Sequence, residues 1–539
     1  MRDHTPHSTP HPEFASALTY FEHFSLCTLS PTIISMAPTI TKPLPSTSSP
    51  MDIGIIGGGV AGLYSALLLR KAGHNIHIFE ANNRVGGRIY THHFSSEKNQ
   101  YFEAGAMRIP NSSMQKVVLD LIAHLNARHD LPSDKHIRLI PYILNSSGNC
   151  LYMNGLRRDG YRVMNTTPAD INWDVPPRYL GRTAGSLLME VLRPFLEDLE
   201  RDFERGFESL LKFDSLSFRD YLKLIAQWED EVIDFVETVC SQTNQYALGC
   251  VEIVMQHLDF MTQEWFTIED GMDRLPQAIA HVIGLDKITF GARVTGVHDT
   301  EHGVDITAQG YNGIFRHSFD KVILAIPPAA LKMIADRSRW SPAKELAIRS
   351  MHFEPLYKMG MRFKTRFWER GSANRGGQSA TDLPIRWIVY PSNGIGENGP
   401  GVLLLYSWMT DASTWLSLTE IERRSLALRC LDEVYPDVDV YGQLMETFDI
   451  AWAAQNATGD AMFLPGQFHL RFEDARRPEG NVYFAGEHLS RHHTWIAGAL
   501  LSALHSVQEL LGDSSGTTVE PFAPIRPLSI FESSIQYDI

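Results

Sequence analysis

The chain has 539 residues, with 48 Lys and Arg against 63 Asp and Glu, and a formal net charge of −15. A chain of this length predicts more than one lobe built around a large core. Its acidic balance argues against a broad nucleic-acid surface, so no nucleic-acid partner is expected. No apolar run approaches the roughly 20 residues that cross a bilayer. We therefore expect no membrane partner and predict a cytoplasmic location.

The two ends of the chain differ in composition from the rest. Residues 1–50 are rich in Ser, Thr, Pro and His and lack the basic start and apolar core of a secretory signal. This composition predicts a disordered extension. Residues 513–539 lose hydrophobic periodicity and are predicted to form a tail, so ordered structure is expected from Met51.

A glycine-rich turn follows the first predicted strand. The apolar run Asp52–Ile56 leads directly into Gly57-Gly58-Gly59-Val60-Ala61-Gly62, which fits GxGxxG and opens a helix. In such a turn the first glycine permits a tight bend, the second lets the backbone approach a pyrophosphate, and the third lets the helix pack on the strand. The helix N-terminus at Val60 and Ala61 faces the phosphates. The pattern predicts a dinucleotide site and leaves NAD and FAD both open.

The residues after the second predicted strand favour a flavin. Glu80 and Ala81 end that strand, where a carboxylate can accept hydrogen bonds from ribose hydroxyls. Next comes Arg84-Val-Gly-Gly87-Arg88, a glycine pair between two arginines that can bind phosphate bidentately. This run resembles the second dinucleotide motif of the flavin amine oxidases, a family that includes amine, polyamine and L-amino-acid oxidases.

Similar motifs recur far along the chain, and the resemblance spans Met51 to Leu511. The segment 481–488 resembles the family's last FAD motif, and the helix after it is aimed at the flavin in relatives. The resemblance implies FAD, held non-covalently because residues 455–466 contain no Cys. The residues implied to contact FAD in this half of the chain are Val294, Trp452, Gly486, Glu487, Trp495, Ile496 and Ala499.

The resemblance also implies the fold class, an α/β multidomain architecture. A Rossmann-like FAD-binding domain of the glutathione-reductase type is expected from residues 51–90, 268–335 and 470–512. A mixed-sheet substrate domain is expected from 91–170 and 336–469, and a helical subdomain from 171–267. Residues 291–297 and 304–308 predict a hairpin, whereas the polar, glycine-rich segment 371–381 predicts a loop.

The stretch Gly105-Ala106-Met107-Arg108 carries the best indication of the substrate. It resembles the L-amino-acid oxidases, in which a Met-Arg pair lies here and the arginine clamps the substrate carboxylate. The four residues are also expected to contact the cofactor. Tyr406 aligns with the tyrosine that shares carboxylate binding in that subfamily. Arg108 could instead pair with an internal acid such as Glu103, and Tyr406 could be a core residue.

Further residues are assigned to the pocket. Lys358 matches the family lysine that holds a water against flavin N5. Trp408 and Trp495 are candidate substrate-pocket walls, and Trp495 joins Lys358, Arg108 and Tyr406 in the predicted catalytic set. Relatives usually place an apolar residue near Asp460, so this acid could favour a basic substrate side chain or could cap a turn. No metal site is expected.

The predicted activity is FAD-dependent oxidation of an L-amino acid, in which O2 is reduced to hydrogen peroxide and water hydrolyses the imino acid to the 2-oxo acid and ammonia. An amine or polyamine oxidase and an amino-acid monooxygenase are the enzymatic alternatives, and a non-catalytic flavin-binding protein is the alternative outside enzymes. By analogy with relatives, a homodimer is possible.

Overall fold

The computed structural model describes residues 49–160, 163–311, 313–369, 375–454, 458–515 and 520–522. Most of the predicted N-terminal extension and C-terminal tail therefore lies outside the described residues. The first strand begins at Asp52, as predicted. Within the described residues, no helix combines the length and hydropathy required to cross a membrane.

A five-stranded parallel sheet, here called the nucleotide sheet, lies below the candidate site. Its strands are, in spatial order, Ile288–Thr289, Asn75–Phe79, Asp52–Ile56, Lys321–Leu324 and Val482–Phe484. They come from all three segments predicted for the FAD-binding domain, whose exact boundaries stay a prediction. Ile56 pairs with both Phe79 and Leu324, so the strands end together. The carboxyl edge of such a sheet is where dinucleotides bind.

Four helices cover this sheet or pack against its helices. They are Val60–Lys71, Lys116–Asn126, Arg274–Ile283 and Ile496–Ser515. The first is buried from Val60 through Leu69, because it packs against both the third and the fourth of these helices. A helix that is apolar on all sides is typical of a core position, and this burial fixes the turn that precedes it.

An antiparallel meander continues from the nucleotide domain. Its strands are Arg293–Thr300, Gly303–Gly310 and Gly313–Phe319, and Asp336–Arg337 joins the first of them in parallel. The predicted hairpin is confirmed, and the third strand extends it. Val294, near the start of the meander, lies beside the cavity described below.

A seven-stranded mixed sheet forms the opposite side of the site. In spatial order its strands are Leu444–Ala451, Leu356–Phe363, Gly401–Trp408, Trp387–Val389, Gln378–Thr381, Cys150–Met153 and Leu156–Asp159. The loop prediction for 371–381 is wrong in its second half, because Gln378–Thr381 pairs with Cys150–Met153. Two of its polar side chains, Ser379 and Thr381, are buried, and Ser379 bonds the Tyr390 hydroxyl at 2.8 Å. Residues 370–374 lie outside the described residues.

The stretch predicted to form a helical subdomain is largely helical, whereas its boundaries as a subdomain stay a prediction. Its main helices are Ala184–Arg201, Phe203–Leu210, Phe218–Leu224, Asp230–Cys240 and Cys250–Leu258. The remaining short strands are Thr91–His93, Tyr101–Glu103, Ile109–Pro110, Leu139–Pro141, Trp265–Ile268, Phe353–Glu354 and Asp460–Ala461. The remaining α-helices are Pro328–Lys332, Pro342–Ser350, Met409–Leu416, Glu420–Val434, Val440–Gln443 and Glu473–Arg476.

Candidate active site

A cavity of about 680 Å³ begins at the carboxyl edge of the nucleotide sheet and reaches the mixed sheet and the helical subdomain. It brings together nearly all the predicted site residues. Those lining it are Gly57, Gly59, Val60, Ala61, Glu80, Ala81, Gly87, Arg88, Gly105, Ala106, Met107, Arg108, Val294, Lys358, Tyr406, Trp408, Trp452, Asp460, Gly486, Glu487, Trp495, Ile496 and Ala499. Gly62 and Arg84 do not line it.

The three motif glycines differ in what surrounds them. Gly57 has a φ of +106°, and a Cβ there would lie 2.6 Å from the Ala325 carbonyl oxygen. A Cβ on Gly59 would meet no atom within 4 Å, so its backbone is open to the cavity. A Cβ on Gly62 would lie 2.0 Å from the Gly57 carbonyl oxygen. Gly57 thus permits the turn, Gly59 leaves room for a ligand to approach the backbone, and Gly62 allows close packing of the helix, as the motif requires.

The Glu80 carboxylate joins the ends of two strands. It accepts the Gly58 N–H at 2.7 Å and the Asn82 N–H at 2.8 Å. Its side chain is buried and borders the cavity. A carboxylate offers about four acceptor positions, so Glu80 keeps capacity for a ribose hydroxyl while the turn holds it in place.

An ion pair between Arg88 and Glu487 lies on the other side of the site. Together with the glycine turn and Glu80 it forms what is called the cradle below. Arg88 Nη1 donates to Glu487 Oε1 at 2.8 Å and to the Gly459 carbonyl at 2.8 Å. Burial alone would raise the pKa of Glu487, but Arg88 and nearby His493 hold this pKa below its usual value. Glu487 is therefore ionised at neutral pH and keeps Arg88 oriented towards the cavity.

Arg84 occupies a different position from the one predicted. Its guanidinium donates to the Val85 carbonyl at 3.2 Å and to the Gly87 carbonyl at 3.0 Å, and lies 4.3 Å from the Tyr90 ring centroid. These bonds brace the second glycine turn, in which Gly87 has a φ of +58°. Direct phosphate binding by Arg84 stays a prediction, and the geometry assigns it a bracing role.

The last helix presents its N-terminus to the cavity. Ile496 and Ala499, in its first turn, line the wall. The segment before it is tied to the cradle, because the Thr494 N–H donates to Glu487 Oε2 at 3.0 Å. A helix N-terminus carries partial positive charge and free N–H groups, so this end can stabilise negative charge on a bound ring system.

Arg108 lies among aromatic rings with an unsatisfied nitrogen. Its guanidinium carbon is 5.2 Å from the Phe260 ring centroid, 5.4 Å from that of Trp265 and 5.9 Å from that of Tyr142. Its Nη1 is buried and has no hydrogen-bond partner among the described residues. Leaving such a donor unpaired is costly, so the site is suited to an external anion.

The suggested internal partner of Arg108 is engaged elsewhere. The Glu103 carboxylate accepts the Thr91 hydroxyl at 2.8 Å and the Met272 N–H at 2.9 Å. Burial raises the pKa of Glu103 to about 8. In the described part of the chain Arg108 forms no ion pair, so the alternative in which Glu103 neutralises it is wrong.

Lys358 and Tyr406 face each other across neighbouring strands of the mixed sheet. Lys358 Nζ donates to the Gly105 carbonyl at 2.5 Å and to the Glu103 carbonyl at 3.3 Å. It also lies 4.5 Å from the Tyr406 ring centroid. Burial lowers the pKa of Lys358 to about 7, because the charged form loses hydration. The amine is thus available in both protonation states near neutrality.

Three tryptophans and one acid complete the predicted set. Trp452 Nε1 donates to the Ala104 carbonyl at 2.8 Å. Trp408 packs edge-on against Tyr406, with ring centroids 5.2 Å apart. Trp495 packs against Trp265 at 6.1 Å, and its Nε1 is buried without a partner among the described residues. Asp460 lines the same cavity, and burial raises its pKa to about 7.

Sequence reasoning missed the contribution of the helical subdomain. Gln242, Gln245, Gln256 and His257 also line the cavity. A buried chain of hydrogen bonds runs from Gln245 Nε2 to Gln256 Oε1 at 2.8 Å, and from Gln256 Nε2 to Glu252 Oε1 at 3.1 Å. The available signal was the pair Glu252 and Gln256, four residues apart in an otherwise apolar helix.

Fold and cradle together define a dinucleotide-binding protein, and comparison with known proteins makes the class specific. Residues 60–511 match the family model of the flavin containing amine oxidoreductases, so the chain belongs to this family and is a flavoprotein. The putative L-amino-acid oxidase YobN of Bacillus subtilis (strain 168) is 32% identical over 88% of this chain and 98% of that protein. L-amino-acid oxidase 4 of Hebeloma cylindrosporum is 30% identical over 85% and 81%, respectively.

A putative bifunctional amine oxidase of Dictyostelium discoideum is 34% identical over 86% of this chain, but the chain spans only 46% of that protein. Among solved structures, putrescine oxidase bound to putrescine has a TM-score of 0.66 and 18% identity, covering 86% of this chain and 99% of that one. Cyclohexylamine oxidase from Brevibacterium oxydans IH-35A has a TM-score of 0.64, 16% identity and the same coverage. These likenesses confirm the predicted fold class.

Proposed function

We propose that this flavoprotein uses non-covalent FAD to oxidise the α-amino group of an L-amino acid, releasing the 2-oxo acid, ammonia and hydrogen peroxide. The observation that carries the proposal is Arg108, a cavity-lining arginine whose buried Nη1 has no partner among the described residues. A substrate carboxylate is the natural partner of such a guanidinium group. Relatives named L-amino-acid oxidase, at 27–32% identity, support the same choice.

Different residues are proposed to bind different parts of FAD. The glycine turn at Gly57 and Gly59 takes the pyrophosphate and Glu80 takes a ribose. Arg88, oriented by Glu487, serves the phosphates or the ribityl chain. The first turn of the last helix, which lines the cavity, would stabilise negative charge on the bound flavin through its N–H groups.

The chain's own part in the reaction is orientation and proton control. Arg108 and Tyr406 fix the carboxylate, so that the Cα–H bond is presented in one direction and only one enantiomer fits. Lys358, whose pKa is lowered to about 7 by burial, holds water next to the reacting atoms. When bound, the flavin supplies a two-electron acceptor that O2 regenerates.

An amine or polyamine oxidase is the second candidate, because the solved neighbours include oxidases of putrescine and cyclohexylamine. A substrate without a carboxylate would leave Arg108 unpaired in the cavity, which argues against it. A monooxygenase would use the same carboxylate clamp but would decarboxylate the amino acid, insert one oxygen atom into the product and yield no peroxide. The homodimer and the cytoplasmic location stay predictions of the sequence.

The test is peroxide release from purified protein given all twenty L-amino acids, their D-enantiomers, putrescine and cyclohexylamine. We expect turnover of L-amino acids and a fall in kcat/KM of about 2–5 kcal/mol, roughly 30- to several-thousand-fold, in Arg108→Ala. Flavin absorbance should be retained. The control is Arg128→Ala, which removes a surface pair with Asp130 and should leave turnover unchanged. Amine turnover that is insensitive to Arg108→Ala would overturn the proposal.

A further inference from the structure

The cavity contains a carboxylate that the proposed mechanism leaves unused. Glu80, Arg88, Lys358 and Glu487 line the cavity and each has hydrogen-bond partners. Asp460 also lines it, yet its carboxylate has no hydrogen bond or ion pair among the described residues. Asp460 is largely withdrawn from solvent, and an acid in such a position without a partner is costly, so it is suited to a ligand of opposite charge.

The backbone around Asp460 is held in place by the cofactor cradle. The Gly459 carbonyl accepts Arg88 Nη1 at 2.8 Å, and the Ala461 N–H donates to Glu487 Oε1 at 3.2 Å. Asp460 itself pairs with Glu354 in a two-stranded ladder. A Cβ on Gly459 would lie 2.0 Å from the Glu354 carbonyl oxygen, so this backbone cannot shift easily. The acid is therefore held at a fixed position in the cavity wall.

The charges around Asp460 give it an intermediate basicity. Burial and the carboxylates of Glu487 and Glu252 raise its pKa, whereas Arg88 and Lys358 lower it, and the result is about 7. An ordinary aspartate, with a pKa of roughly 3.9, would be a much weaker base. General bases are most effective when their pKa lies near the working pH.

Asp460 and Arg108 act on the same part of the cavity. The Tyr406 side chain lies within the electrostatic influence of both, one anionic and one cationic. Lys358, opposite Tyr406 in the sheet, likewise experiences both charges. Arg108 Nη1 is buried without a partner, and Asp460 lines the same cavity without a hydrogen bond or ion pair, among the described residues. One cavity thus offers both of the opposite charges that the zwitterion of a free α-amino acid requires.

We propose that Asp460 binds the α-ammonium group of the substrate and accepts one of its protons before the Cα–H bond is broken. In this step an N–H bond breaks, an O–H bond forms on Asp460, and the nitrogen keeps the electron pair. The neutral amine that results can be oxidised, whereas the ammonium form cannot. This inference rests on the proposed function and assigns Asp460 to the reacting centre. The sequence hypothesis assigned it to a basic side chain.

The test compares Asp460→Asn with wild type in kcat/KM between pH 6 and 10, using one L-amino acid with an apolar side chain. Wild-type kcat/KM should rise through about pH 7 as Asp460 ionises. The amide cannot accept a proton, so near pH 7 the variant should lose roughly 10²-fold or more, the range of general-base contributions. The deficit should shrink towards pH 10, where the substrate amine is already neutral.

Three controls test whether the effect belongs to Asp460 itself or to the groups around it. Glu354→Gln alters the acid opposite Asp460 in the same ladder, which pairs with His352 and does not line the cavity, and should leave the pH profile unchanged. Lys358→Met should be slower yet keep the rise, moved towards higher pH because Lys358 no longer lowers the pKa of Asp460. Inhibition by the same carboxylic acid lacking its amino group should be equal in wild type and Asp460→Asn, because that ligand has no ammonium group.

The outcomes are distinguishable from failure of the proposed function. If wild type oxidises no amino acid, the proposed function is wrong. If wild type does so and Asp460→Asn keeps both rate and pH profile, the assignment of Asp460 is wrong. Selective loss of lysine and arginine turnover, with apolar substrates unaffected, would overturn it in favour of a side-chain contact.

Discussion

The two ends of the cavity are built on opposite principles. At the cradle, the charged groups are paired within the protein, as in the Arg88–Glu487 ion pair and the bonds from Gly58 and Asn82 to Glu80. At the substrate end, Arg108 Nη1 is buried without a partner, and Asp460 lines the cavity without a hydrogen bond or ion pair, among the described residues. The cradle is therefore organised before its ligand arrives, whereas the substrate end is completed by the ligand.

This difference shows where stability and specificity reside. Paired groups in the cradle hold together segments that are hundreds of residues apart in sequence, so damage there should reduce both folding and flavin binding. Unpaired groups at the substrate end cost stability in the free protein and gain partners only in the complex. Damage there should affect turnover and leave the fold intact. The predictions below test this division.

The largest effect is expected from Gly62→Ala. The added Cβ would lie 2.0 Å from the Gly57 carbonyl oxygen. Gly62 is buried and its clash is with backbone, so neither atom can move away easily. We expect little soluble protein and no bound flavin, as measured by yield and by absorbance in the visible range. Gly512→Ala is the matched control, since nothing lies within 4 Å of its Cβ position near the end of the last helix. Normal flavin content in Gly62→Ala would contradict the packing argument.

The cradle was predictable from the sequence because its chemistry is local. A glycine turn, an acid after a strand and a Gly-Glu pair each imply their geometry within a few residues, and the glycine contacts match that prediction. Arg84 is the exception, because an arginine can reach several partners and the backbone carbonyls of its own turn were the nearest.

The substrate end was predictable only in part because its contacts are non-local. Arg108 could be singled out by resemblance, but the rings around it come from Tyr142, Phe260 and Trp265, which no local pattern connects. The strand Gln378–Thr381 was missed for the same reason, since its polarity is explained only by partners such as Tyr390. The buried glutamines of the helical subdomain gave only a weak signal, the spacing of Glu252 and Gln256 in one helix.

A smaller loss is expected from Glu487→Gln, which breaks the ion pair with Arg88. Removing one member of a buried pair costs about 3 kcal/mol or more, so thermal stability and flavin affinity should both fall. The pKa of Glu487 is below its usual value, so its stabilising effect is complete above the unfolded-state pKa and is lost as pH falls through the folded-state value. Glu487→Gln should lack this part of the acid-induced loss of stability.

The control for that variant is Glu369→Gln, which breaks a buried pair with Arg366 away from the cavity. It should reduce thermal stability without changing flavin affinity. Equal flavin retention by Glu487→Gln and Glu369→Gln would show that the Arg88–Glu487 pair stabilises the fold alone, and the contrast between the two ends would lose its main support.

The smallest effects come from two tryptophans that differ in one hydrogen bond. Trp452 Nε1 donates to the Ala104 carbonyl, whereas Trp495 Nε1 is buried without a partner among the described residues. Trp452→Phe orphans a buried carbonyl and should cost about 1–3 kcal/mol of unfolding free energy. Trp495→Phe removes a similar volume but no internal bond, so it should be less destabilising and should raise KM by up to about tenfold, the value of one hydrogen bond. Denaturant titration measures the unfolding free energy, and substrate kinetics measure KM. If Trp495 proved necessary for stability and Trp452 for turnover, the unpaired groups would not mark the substrate end.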